Sequence, residues 1–411
     1  MVAAGALAVW LYGQRAAIVE EERRRLRLMY APEALNRYAL GTPLLSLALP
    51  VRPERYTQGV VRPFLDGLLP EGESRLAVAQ DFNLRASDTY GLIRAIGRDC
   101  AGAVVIQPAE EPPPAPASTL AAEPLTEDDV SRLIANLRVA PLGIDERVRL
   151  SLAGVQEKLL LTRLPDGRWG RPVDGTPTTH ILKPQLERFP ATVENEAFCM
   201  RVAGHLGLHV AAVETTMIGG RKLLVVERYD RVVDDTGAVL RIHQEDFCQA
   251  IGVLPDHKYE ENGGPSLKKI AGVVQTAAAP DSLDALLRAV TVNVLVTNGD
   301  AHGKNFSLLH HESGALTLSP LYDVLCTLHY GVDRLAMYID NVHRIDKVTV
   351  ARILNEAESW GMSRNRAAEV VNDLVARAPE AIDAARAETD GLPADVLATV
   401  NAQLQRLTAA T

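Results

Sequence analysis

The amino-acid sequence predicts an α+β protein with two lobes, a β-rich lobe followed by a helical lobe, and a further β-rich unit that precedes both. Residues 150–240 contain short apolar stretches with strand character: KLLLTRL, THILKP, VETTMIG and KLLVVERYD. Helical patterns dominate after residue 244. The segment PAEEPPPAPASTLAAEP (108–124) has no hydrophobic periodicity and is typical of an extended linker.

The size and composition of the chain are those of a globular protein with a sizeable core. Its 411 residues are enough for two or three domains, and 47% of them are hydrophobic and 23% charged. The net charge of −9 argues against a chain that binds nucleic acid along its whole surface. The four cysteines are scattered without a C-x-x-C pair, which suits a reducing compartment and gives no sign of a zinc site or a disulfide framework.

The first unit, residues 1–107, is predicted to contain strands first and short helices later. The opening MVAAGALAVWLYG has the apolar character of a signal peptide but lacks a basic region in front of it. The alternation in LAVWLYG and RLRLMY predicts a β-hairpin instead. No apolar run approaches the roughly 20 residues that a membrane span needs. We therefore expect a cytoplasmic protein without membrane contact.

The remainder of the chain follows the predicted linker, residues 108–125. Residues 126–240 begin with a helix that Thr126 would cap, because Asp129 stands three residues later and apolar residues then recur at helical spacing. One further helix, ENEAFCMRVAGHLGL, interrupts the strands of this β-rich lobe. Residues 241–411 form the helical lobe, in which FSLLHHESGALTLSP predicts a hairpin and the Ala-rich end predicts helix.

The stretch NGDAHGKNFSLL (298–309) concentrates polar side chains between two apolar elements. Asp300 and Asn305 have the spacing D-x-x-x-x-N, which protein kinases use in their catalytic loop. Phosphoryl transfer needs a carboxylate that orients and deprotonates the attacking hydroxyl, and an amide oxygen that holds a metal ion on the phosphates. A second metal-holding carboxylate, Asp323, follows in LSPLYDVL, and the intervening hairpin would bring it back beside the loop. Because Asp and Asn are ordinary turn residues, the ordered set of three carries the prediction, not either pair alone.

A phosphate-binding lysine is predicted in the β-rich lobe. Lys183 ends the apolar strand THILKP, and the helix that follows begins with ENEAF. Glu196 lies on one helical face with Met200 and Ala203. A Lys–Glu pair from a strand and the next helix is how protein kinases hold the α- and β-phosphates. Glu194 is an alternative partner for the lysine that the spacing leaves open.

A loop that could cover the phosphates precedes the first strand of this lobe. RLSLAGVQEKLLL (149–161) contains the small residues Ser151, Ala153 and Gly154. Backbone N–H groups can cradle phosphate where side chains are small. The stretch does not have the G-x-G-x-x-G pattern, and a hairpin turn with one glycine is the alternative interpretation.

Two further segments could contact the nucleotide. LLVVERYDR turns polar at Glu227, where a hinge between lobes would offer backbone groups to adenine; an ordinary strand end has the same pattern. Inside the catalytic stretch, His302 could hydrogen-bond the loop backbone, and Lys304 could contact the γ-phosphate.

These residues together resemble one family. The stretches SLAGVQEKLLL, PTTHILKP, VENEAFCMRVAGHLGL, VVERYDR, QEDFCQAIG, KYEENGGPS, TNGDAHGKNFSLL and LSPLYDVL occur in this order, and upstream of them stand VRPFLDGLLPEGESR and DTYGLIRAIGRDCAGAV. They are similar to the HipA family of serine/threonine kinase toxins of bacterial type II toxin–antitoxin systems. The resemblance covers nearly the whole chain, except for the Pro-rich segment and the last fifty residues, which match only in helical character.

The resemblance implies a protein-kinase-like fold with a HipA-type N-terminal domain, ATP and Mg²⁺ as cofactors, and a role for each matched residue. Asp300 falls on the catalytic aspartate, and Asn305 and Asp323 fall on the metal-holding positions. Ser151 falls on a loop serine that family members phosphorylate on themselves. The nucleotide-binding positions are Ala153, Gly154, Val155, Gln156, Glu157 and Lys158 of the phosphate loop, Lys183, Glu227, Arg228 and Tyr229 of the hinge, and His302, Gly303, Lys304 and Asn305.

The resemblance also implies partners for the chain. Kinases of this family phosphorylate protein targets of translation, notably aminoacyl-tRNA synthetases. A small helix-turn-helix antitoxin neutralises them and represses the operon, so that operator DNA belongs to the same assembly.

Self-phosphorylation at Ser151 is expected to switch the kinase off. The phosphate on Ser151 would be repelled by the phosphates of ATP and better satisfied by Arg147, Arg149 or Lys158, which would pull the loop outward.

Two other functions are weighed against this one. A small-molecule kinase of the aminoglycoside or choline type shares the Asp, Asn, Asp order, but the loop SLAGVQEK and the N-terminal domain favour a protein kinase. A catalytically idle partner that acts only in repression is disfavoured because Asp300, Asn305, Asp323 and Lys183 are all present.

Overall fold

The computed structural model describes residues 5–144, 150–154, 156–173, 175–279 and 281–409. The strands are β1 Leu7–Leu11, β2 Gln14–Glu22, β3 Arg25–Tyr30, β4 Tyr56–Thr57, β5 Val105–Pro108, β6 Glu123–Pro124, β7 Leu159–Arg163, β8 Trp169–Arg171, β9 His180–Pro184, β10 Val213–Ile218, β11 Arg221–Glu227, β12 Arg231–Val233, β13 Val239–Arg241, β14 His243–Asp246, β15 Ser307–His310, β16 Leu316–Leu318, β17 Arg334–Ile339 and β18 Val342–Arg344.

The helices are α1 Pro32–Arg37, α2 Gln58–Leu68, α3 Gly72–Asp81, α4 Thr89–Ile96, α5 Glu127–Ala135, α6 Thr192–His205, α7 Phe247–Ala250, α8 Leu267–Ala277, α9 Ser282–Leu295, α10 Val350–Ser359, α11 Arg364–Ala387 and α12 Ala394–Ala409. Short 3₁₀ turns lie at Thr119–Ala121, Pro255–His257, Glu260–Asn262, Leu328–Tyr330 and Ile345–Lys347. The mixture of strands and helices confirms the predicted α+β class. Among the described residues, no helix combines the length and apolar character needed to cross a bilayer.

The chain divides into two compact units. The first contains residues 1–184, 217–221 and 225–256, and the second contains residues 185–216, 222–224 and 257–411. The boundaries drawn from the sequence at residues 107, 125 and 240 stay a prediction. All three fall inside the first unit.

The first unit opens with a sheet in which β4, β3, β2, β1 and β5 lie side by side in that order. The predicted opening β structure is confirmed in part: LAVWL forms β1 and RLRLMY forms β3. The two do not pair with each other, because β2 lies between them and pairs antiparallel with both, with Ala8 of β1 opposite Ile18. In β3 alternating residues are buried, as expected for a strand packed on one face, whereas β1 and the middle of β2 are buried over consecutive residues. The helices α1 to α4 then supply the short helices predicted for this region, and α2 and α4 each bury one apolar face.

A second sheet of the first unit contains β9, β7, β8 and β6 in that order. Helix α5 begins as predicted, since Thr126 and Asp129 form a reciprocal capping box. Leu142, Ile144, Leu150 and Leu160 belong to the same apolar core as residues of β1 to β5. The N-terminal region and the start of the β-rich lobe therefore share one core.

The second unit is built around α9, which is buried along most of its length. Helices α8, α11 and α12 pack against it, and α11 also packs against α6 and α10. Burial on all sides explains why LLRAVTVNVL is apolar almost throughout. The predicted helix in ENEAFCMRVAGHLGL is confirmed as α6, and the predicted Ala-rich helices are α11 and α12.

The second unit also contains two hairpins, of which the sequence predicted one. The pair β15–β16 confirms the prediction from FSLLHHESGALTLSP. The pair β17–β18 corrects the expectation that helices dominate the rest of this region. Its turn residues Asp340 and Asn341 both have positive φ angles, 47° and 60°, as a two-residue hairpin turn requires. The dipeptide Asp-Asn between apolar residues was the available signal.

Candidate active site

The polar stretch 298–309 begins where α9 ends, and buried asparagines hold its start. Thr297 has a φ angle of 57°, which is unusual for a β-branched residue and turns the chain out of the helix. The Asn298 side chain donates to Oδ1 of Asn293 at 2.7 Å. Oδ1 of Asn298 accepts from the main-chain N–H of Asp300 at 3.2 Å. The backbone of Asp300 is thus tied to the rigid end of α9.

The carboxylate of Asp300 is partly exposed and contacts a tyrosine. The Tyr259 hydroxyl donates to Oδ1 of Asp300 at 3.0 Å. The Tyr259 ring also meets the His302 ring edge-on, with 5.4 Å between centroids and 85° between planes. This geometry fixes the orientation of the Asp300 carboxylate relative to the loop.

The loop between Asp300 and Asn305 folds tightly on itself. The N–H of His302 donates to the carbonyl of Asp300 at 2.8 Å, and the N–H of Asn305 donates to the carbonyl of His302 at 2.9 Å. A methyl group on Gly303 would lie 2.4 Å from Cγ of Pro265, so the close approach requires glycine. The Lys304 carbonyl accepts from the Tyr322 hydroxyl at 2.6 Å.

Asn305 and Asp323 come together as the intervening hairpin predicted. Nδ2 of Asn305 lies 3.4 Å from Oδ2 of Asp323 and 3.5 Å from its carbonyl oxygen. Asp323 has a φ angle of 58°, an uncommon conformation outside glycine that aims its side chain at the loop. Rotation of the Asn305 amide by half a turn would present its oxygen at the same place.

A clamp from α6 holds the segment that contains Asp323. The buried Asn195 accepts from the N–H of Cys326 at 2.7 Å and donates to the carbonyl of Cys326 at 3.1 Å. At the other end, the N–H of Leu321 donates to the carbonyl of His209 at 2.8 Å. Both ends of the Asp323 segment are therefore fixed by hydrogen bonds within the second unit.

Lys183 and its two candidate partners lie in different elements. Lys183 is a buried residue of β9, and Glu196 is buried in α6. Glu194 accepts a hydrogen bond from Nζ of Lys222 at 2.6 Å. Glu194 is thus engaged by Lys222, while the partner of Lys183 stays a prediction.

The predicted phosphate loop is held by residues of the N-terminal region. Ser151 is fully buried, and its hydroxyl donates to the carbonyl of Leu68 at 2.6 Å. The N–H of Ser151 donates to the carbonyl of Asp99 at 2.8 Å, and the carbonyl of Gly154 accepts from the N–H of Glu71 at 3.3 Å. The loop is thus anchored at three points, two of them at Ser151.

The other end of the loop has small residues and a lysine whose side chain folds back onto the loop backbone. Gly154 has a φ angle of 122°, and a methyl group there would meet Nζ of Lys158. Lys158 donates through Nζ to the carbonyl of Ala153. Glu157 accepts from Nε of Arg138 at 3.1 Å, and Gln156 is half-buried. Three of the residues named from the sequence, Val155, Arg147 and Arg149, lie outside the described residues.

The predicted hinge uses its side chains for internal contacts. Glu227 is exposed, and the Tyr229 hydroxyl donates to Oε1 of Gln244. The Arg228 guanidinium is buried and forms ion pairs with Asp99 and Asp230. Any contact of Arg228 with a nucleotide would therefore involve its main chain.

Two protein-family models match the chain. The model described as the HipA-like C-terminal domain matches residues 150–382, and the HipA N-terminal domain matches residues 7–107. The chain belongs to the HipA family. The predicted resemblance is thereby confirmed.

Individual HipA-family proteins are similar over most of their length. A putative kinase of Sinorhizobium fredii, Y4mE, is 43% identical over 323 residues, which are 77% of this chain and 75% of the relative. The serine/threonine-protein kinase toxin HipA of Shewanella oneidensis is 32% identical over 343 residues, 79% of this chain and 77% of the relative. A chain from the solved Shewanella oneidensis MR-1 toxin–antitoxin complex of HipA, HipB and operator DNA matches with a TM-score of 0.84 and 26% identity, covering 98% of this chain and 97% of that chain.

These matches confirm the predicted kinase-like fold and identify a protein kinase. Protein kinases use ATP and a divalent metal. The oxygens of Asn305 and Asp323 are of the type that Mg²⁺ prefers, and Mg²⁺ is held in kinases by one or two such groups together with phosphate oxygens. The residues present fit the metal.

Three residues of this HipA-family site were missed from the sequence. Tyr259 lies in KYEENGGPS, a stretch used for the resemblance without assigning a role to its tyrosine. Asn298 opens the catalytic stretch, but its contact with Asn293 depends on how α9 ends. Asn195 stands between Glu194 and Glu196, the two candidate partners of Lys183, and no role was predicted for its amide. A buried asparagine in an apolar helix is the signal that could have identified it.

Proposed function

We propose that this HipA-family kinase is the toxin of a type II toxin–antitoxin module, and that it phosphorylates serine or threonine of a translation-related protein such as an aminoacyl-tRNA synthetase. The observation that carries the proposal is the second-unit loop, where Asp300 is oriented by Tyr259 and Asn305 contacts Asp323. The 32% identical relative named a serine/threonine-protein kinase toxin supports the substrate class.

Asp300 is the catalytic residue in this proposal. Its carboxylate accepts the proton of the substrate hydroxyl while the hydroxyl oxygen forms a bond to the γ-phosphorus of ATP, and the bond from that phosphorus to the ADP oxygen breaks. The Tyr259 hydroxyl contacts Oδ1 and limits the rotation of the carboxylate. Positioning of this kind accounts for much of the rate enhancement in phosphoryl transfer.

Asn305 and Asp323 would hold Mg²⁺. When bound, the ion neutralises charge on the β- and γ-phosphates. The left-handed backbone of Asp323 and the Asn195 clamp on Cys326 keep the carboxylate beside Asn305. Lys304 and His302, in the same buried loop, are proposed as further contacts on the nucleotide side.

The first unit would supply the nucleotide-binding groups. The main chain of 153–158 is proposed to cover the phosphates, and Lys183 to neutralise phosphate charge. Residues 227–229 would offer main-chain groups to adenine, since the Arg228 side chain is committed to ion pairs. Small residues and a positive φ at Gly154 support a loop that can approach phosphate closely.

Ser151 is proposed as a site of self-phosphorylation that switches the kinase off. Its hydroxyl is buried against the Leu68 carbonyl at 2.6 Å, where a phosphate group has no room and would face an acceptor oxygen. Phosphoserine carries about −1.5 to −2 charges near neutral pH. A phosphorylated Ser151 therefore requires the loop to leave this position, and ATP binding should be lost with it.

This proposal predicts phosphate on Ser151 after incubation with ATP and magnesium, measured by mass spectrometry. The Asp300→Asn protein should remain unmodified unless active enzyme is added in trans. Phosphorylated protein and Ser151→Asp should bind ATP poorly, whereas Ser151→Ala should bind it normally. Unchanged ATP affinity in fully phosphorylated protein would contradict the switch.

The partner proposed for the kinase is a helix-turn-helix antitoxin. The structural neighbour was solved as a complex of HipA, HipB and operator DNA, and this chain matches 97% of the neighbour's chain. A corresponding antitoxin would bind this kinase, with operator DNA as the third component of the assembly.

The proposed activity is tested by adding the purified kinase, labelled ATP and magnesium to a lysate of cells that lack this protein. We expect one or a few protein bands to be labelled, which would name the target. Asp300→Asn should lower labelling by about 100-fold or more while ATP affinity is kept, because the side chain acts on the hydroxyl. The matched control is Asp235→Asn at an exposed aspartate. Labelling of small metabolites instead of proteins would favour a small-molecule kinase, and full activity of Asp300→Asn would overturn the catalytic assignment.

A further inference from the structure

Asp99, which lies between α4 and β5 in the N-terminal region, binds two segments through different atoms. Its carbonyl accepts from the N–H of Ser151 at 2.8 Å. Its carboxylate accepts from Arg228 at 3.3 Å, from Arg231 at 3.0 Å and from Arg241 at 3.2 Å. One buried residue thus contacts both the start of the proposed phosphate loop and the proposed hinge.

The ion cluster around Asp99 is buried and contains a second carboxylate. Asp230 pairs with Arg228 at 2.9 Å and Arg231 at 3.1 Å, and it accepts from the N–H of Gly102 at 2.7 Å. Burial alone would raise the pKa of Asp99, but the charges of Arg231, Arg228 and Arg241 outweigh it and hold the pKa at about 2. Asp99 is therefore ionised at neutral pH, and its charge is needed to balance three buried cations.

Additional hydrogen bonds fix Asp99 and the hinge to the sheet of the β-rich lobe. The carboxylate of Asp99 accepts from the N–H and the hydroxyl of Thr178 at 3.0 and 2.7 Å. The Thr178 hydroxyl in turn accepts from Arg228 at 2.6 Å. The N–H of Arg228 donates to the carbonyl of Thr179 at 2.9 Å. The side chain of Asp99 thus sets where its own carbonyl, the acceptor for Ser151, can lie.

We infer that Asp99 is a positioning residue that holds the loop serine Ser151 in place through its carbonyl and the hinge residue Arg228 through its carboxylate, and so couples the two nucleotide-binding segments. The inference rests on the proposed function of 151–158 as phosphate loop and 227–229 as hinge. Asp99 itself does not touch nucleotide. It makes a residue of the N-terminal region part of the nucleotide-binding apparatus, and loss of its charge should release the loop.

The test measures exposure of the loop without using kinase activity. In Ser151→Cys protein, the introduced thiol is alkylated with iodoacetamide and the modified protein is counted by mass spectrometry. The native cysteines Cys100, Cys199, Cys248 and Cys326 are all buried, so background labelling should be slow. Because Cys100 adjoins the Asp99 cluster, only faster labelling of the other three cysteines would report unfolding beyond the cluster. We expect Asp99→Asn to raise the labelling rate at position 151 by about tenfold or more.

Two further variants keep the test decisive. Asp230→Asn removes a carboxylate from the same cluster but not the residue that binds Ser151, so labelling at 151 should stay near the starting rate. Arg241→Gln, at the edge of the cluster, removes one partner of Asp99 and should raise the rate by a smaller factor than Asp99→Asn. It replaces Asp99→Asn as the test if that protein does not fold. Equal effects of Asp99→Asn and Asp230→Asn, or no effect of Asp99→Asn or Arg241→Gln in folded protein, would overturn the assignment.

The Michaelis constant for ATP separates this inference from the proposed function. Without the Ser151→Cys change, Asp99→Asn should raise KM for ATP about tenfold and leave kcat within twofold, because Asp300 and the metal-holding residues are untouched. Faster labelling at 151 in a chain that binds no ATP in any form would uphold the Asp99 link and refute the nucleotide role. Unchanged labelling at position 151 in an active kinase would refute the Asp99 link and leave the nucleotide role intact.

Discussion

Arg228 illustrates what a single residue reveals in a sequence and what it does not. It falls at the predicted hinge, yet its guanidinium is buried against Asp99 and Asp230, 129 and 2 residues away. A partner at such a distance along the chain leaves no trace in local spacing. Asn305 and Asp323 could be paired from sequence because only one hairpin separates them. The length of the intervening chain decided which contacts were predictable.

Tyr259 offers a test of how a neighbouring residue positions the catalytic carboxylate. Tyr259→Phe removes the hydroxyl that donates to Asp300 at 3.0 Å and keeps the ring that packs against His302. A hydrogen bond to a charged group contributes roughly 1.5–3 kcal/mol, so we expect kcat to fall roughly 10- to 100-fold. KM for ATP should be unchanged because Tyr259 contacts the carboxylate and not the nucleotide-binding segments.

The control for this measurement is Tyr338→Phe, which removes a hydroxyl from another half-buried tyrosine of the second unit. Its ring packs against His343. Steady-state kinetics with a purified protein substrate should show wild-type values for the control. A wild-type kcat in Tyr259→Phe would mean that the loop backbone alone orients Asp300.

At the scale of elements, helices and hairpins with strong local signals were predicted correctly. Thr126 and Asp129 mark the start of helix α5, and the alternation in RLRLMY marks strand β3. The pair β17–β18 was missed because β18 has only three residues and the turn, Asp340–Asn341, lacks glycine. The overall composition of the lobe then favoured helix. Elements whose stability depends on tertiary packing are the ones that a local pattern conceals.

The loop that contains Asp300, the proposed catalytic residue, depends on two close approaches that only glycine permits. A methyl group on Gly303 would lie 2.4 Å from Cγ of Pro265, and one on Gly299 would lie 2.6 Å from the carbonyl oxygen of Arg334. We expect Gly303→Ala to displace the loop and lower kcat by about 10-fold or more, since small displacements of reacting groups are costly. Protein folding, followed by circular dichroism, should be retained.

The partners of these two glycines predict different responses to a second mutation. Pro265→Ala removes the Cγ atom that obstructs position 303, so the double variant with Gly303→Ala should recover much of the activity. Gly299→Ala meets a main-chain oxygen, which no side-chain change can remove, and should not be rescued by Pro265→Ala. Failure of the rescue at 303 would show that the proline contact does not set the loop position.

At the scale of the whole molecule, the N-terminal region and the start of the β-rich lobe are parts of one compact unit. Leu142, Ile144, Leu150 and Leu160 share a core with the first sheet. Polar contacts also connect the N-terminal region to β14 and α7 of the same unit: Gln249 donates to the carbonyl of Phe64 at 2.9 Å, and Glu245 accepts from the N–H of Leu47 at 2.9 Å. The Pro-rich segment marks a change in composition along the chain, whereas the core on either side of it is continuous, and that continuity is not visible in the sequence.

This continuity predicts that the two sides of the Pro-rich segment unfold together. Trp10 lies in β1, Trp169 in β8, and Trp360 follows α10 in the second unit. Three proteins, each retaining one tryptophan while the other two are changed to Phe, can be unfolded in urea and followed by fluorescence. We expect the Trp10 and Trp169 signals to have the same midpoint and slope, because a shared core unfolds cooperatively.

Circular dichroism of each protein controls for destabilisation by the Phe substitutions themselves. A Trp10 transition clearly separated from that of Trp169 would show that residues 1–107 fold independently, as the composition of the sequence alone suggests. The Trp360 protein reports the second unit by itself, so a different midpoint there is compatible with the shared core, which concerns only the first unit.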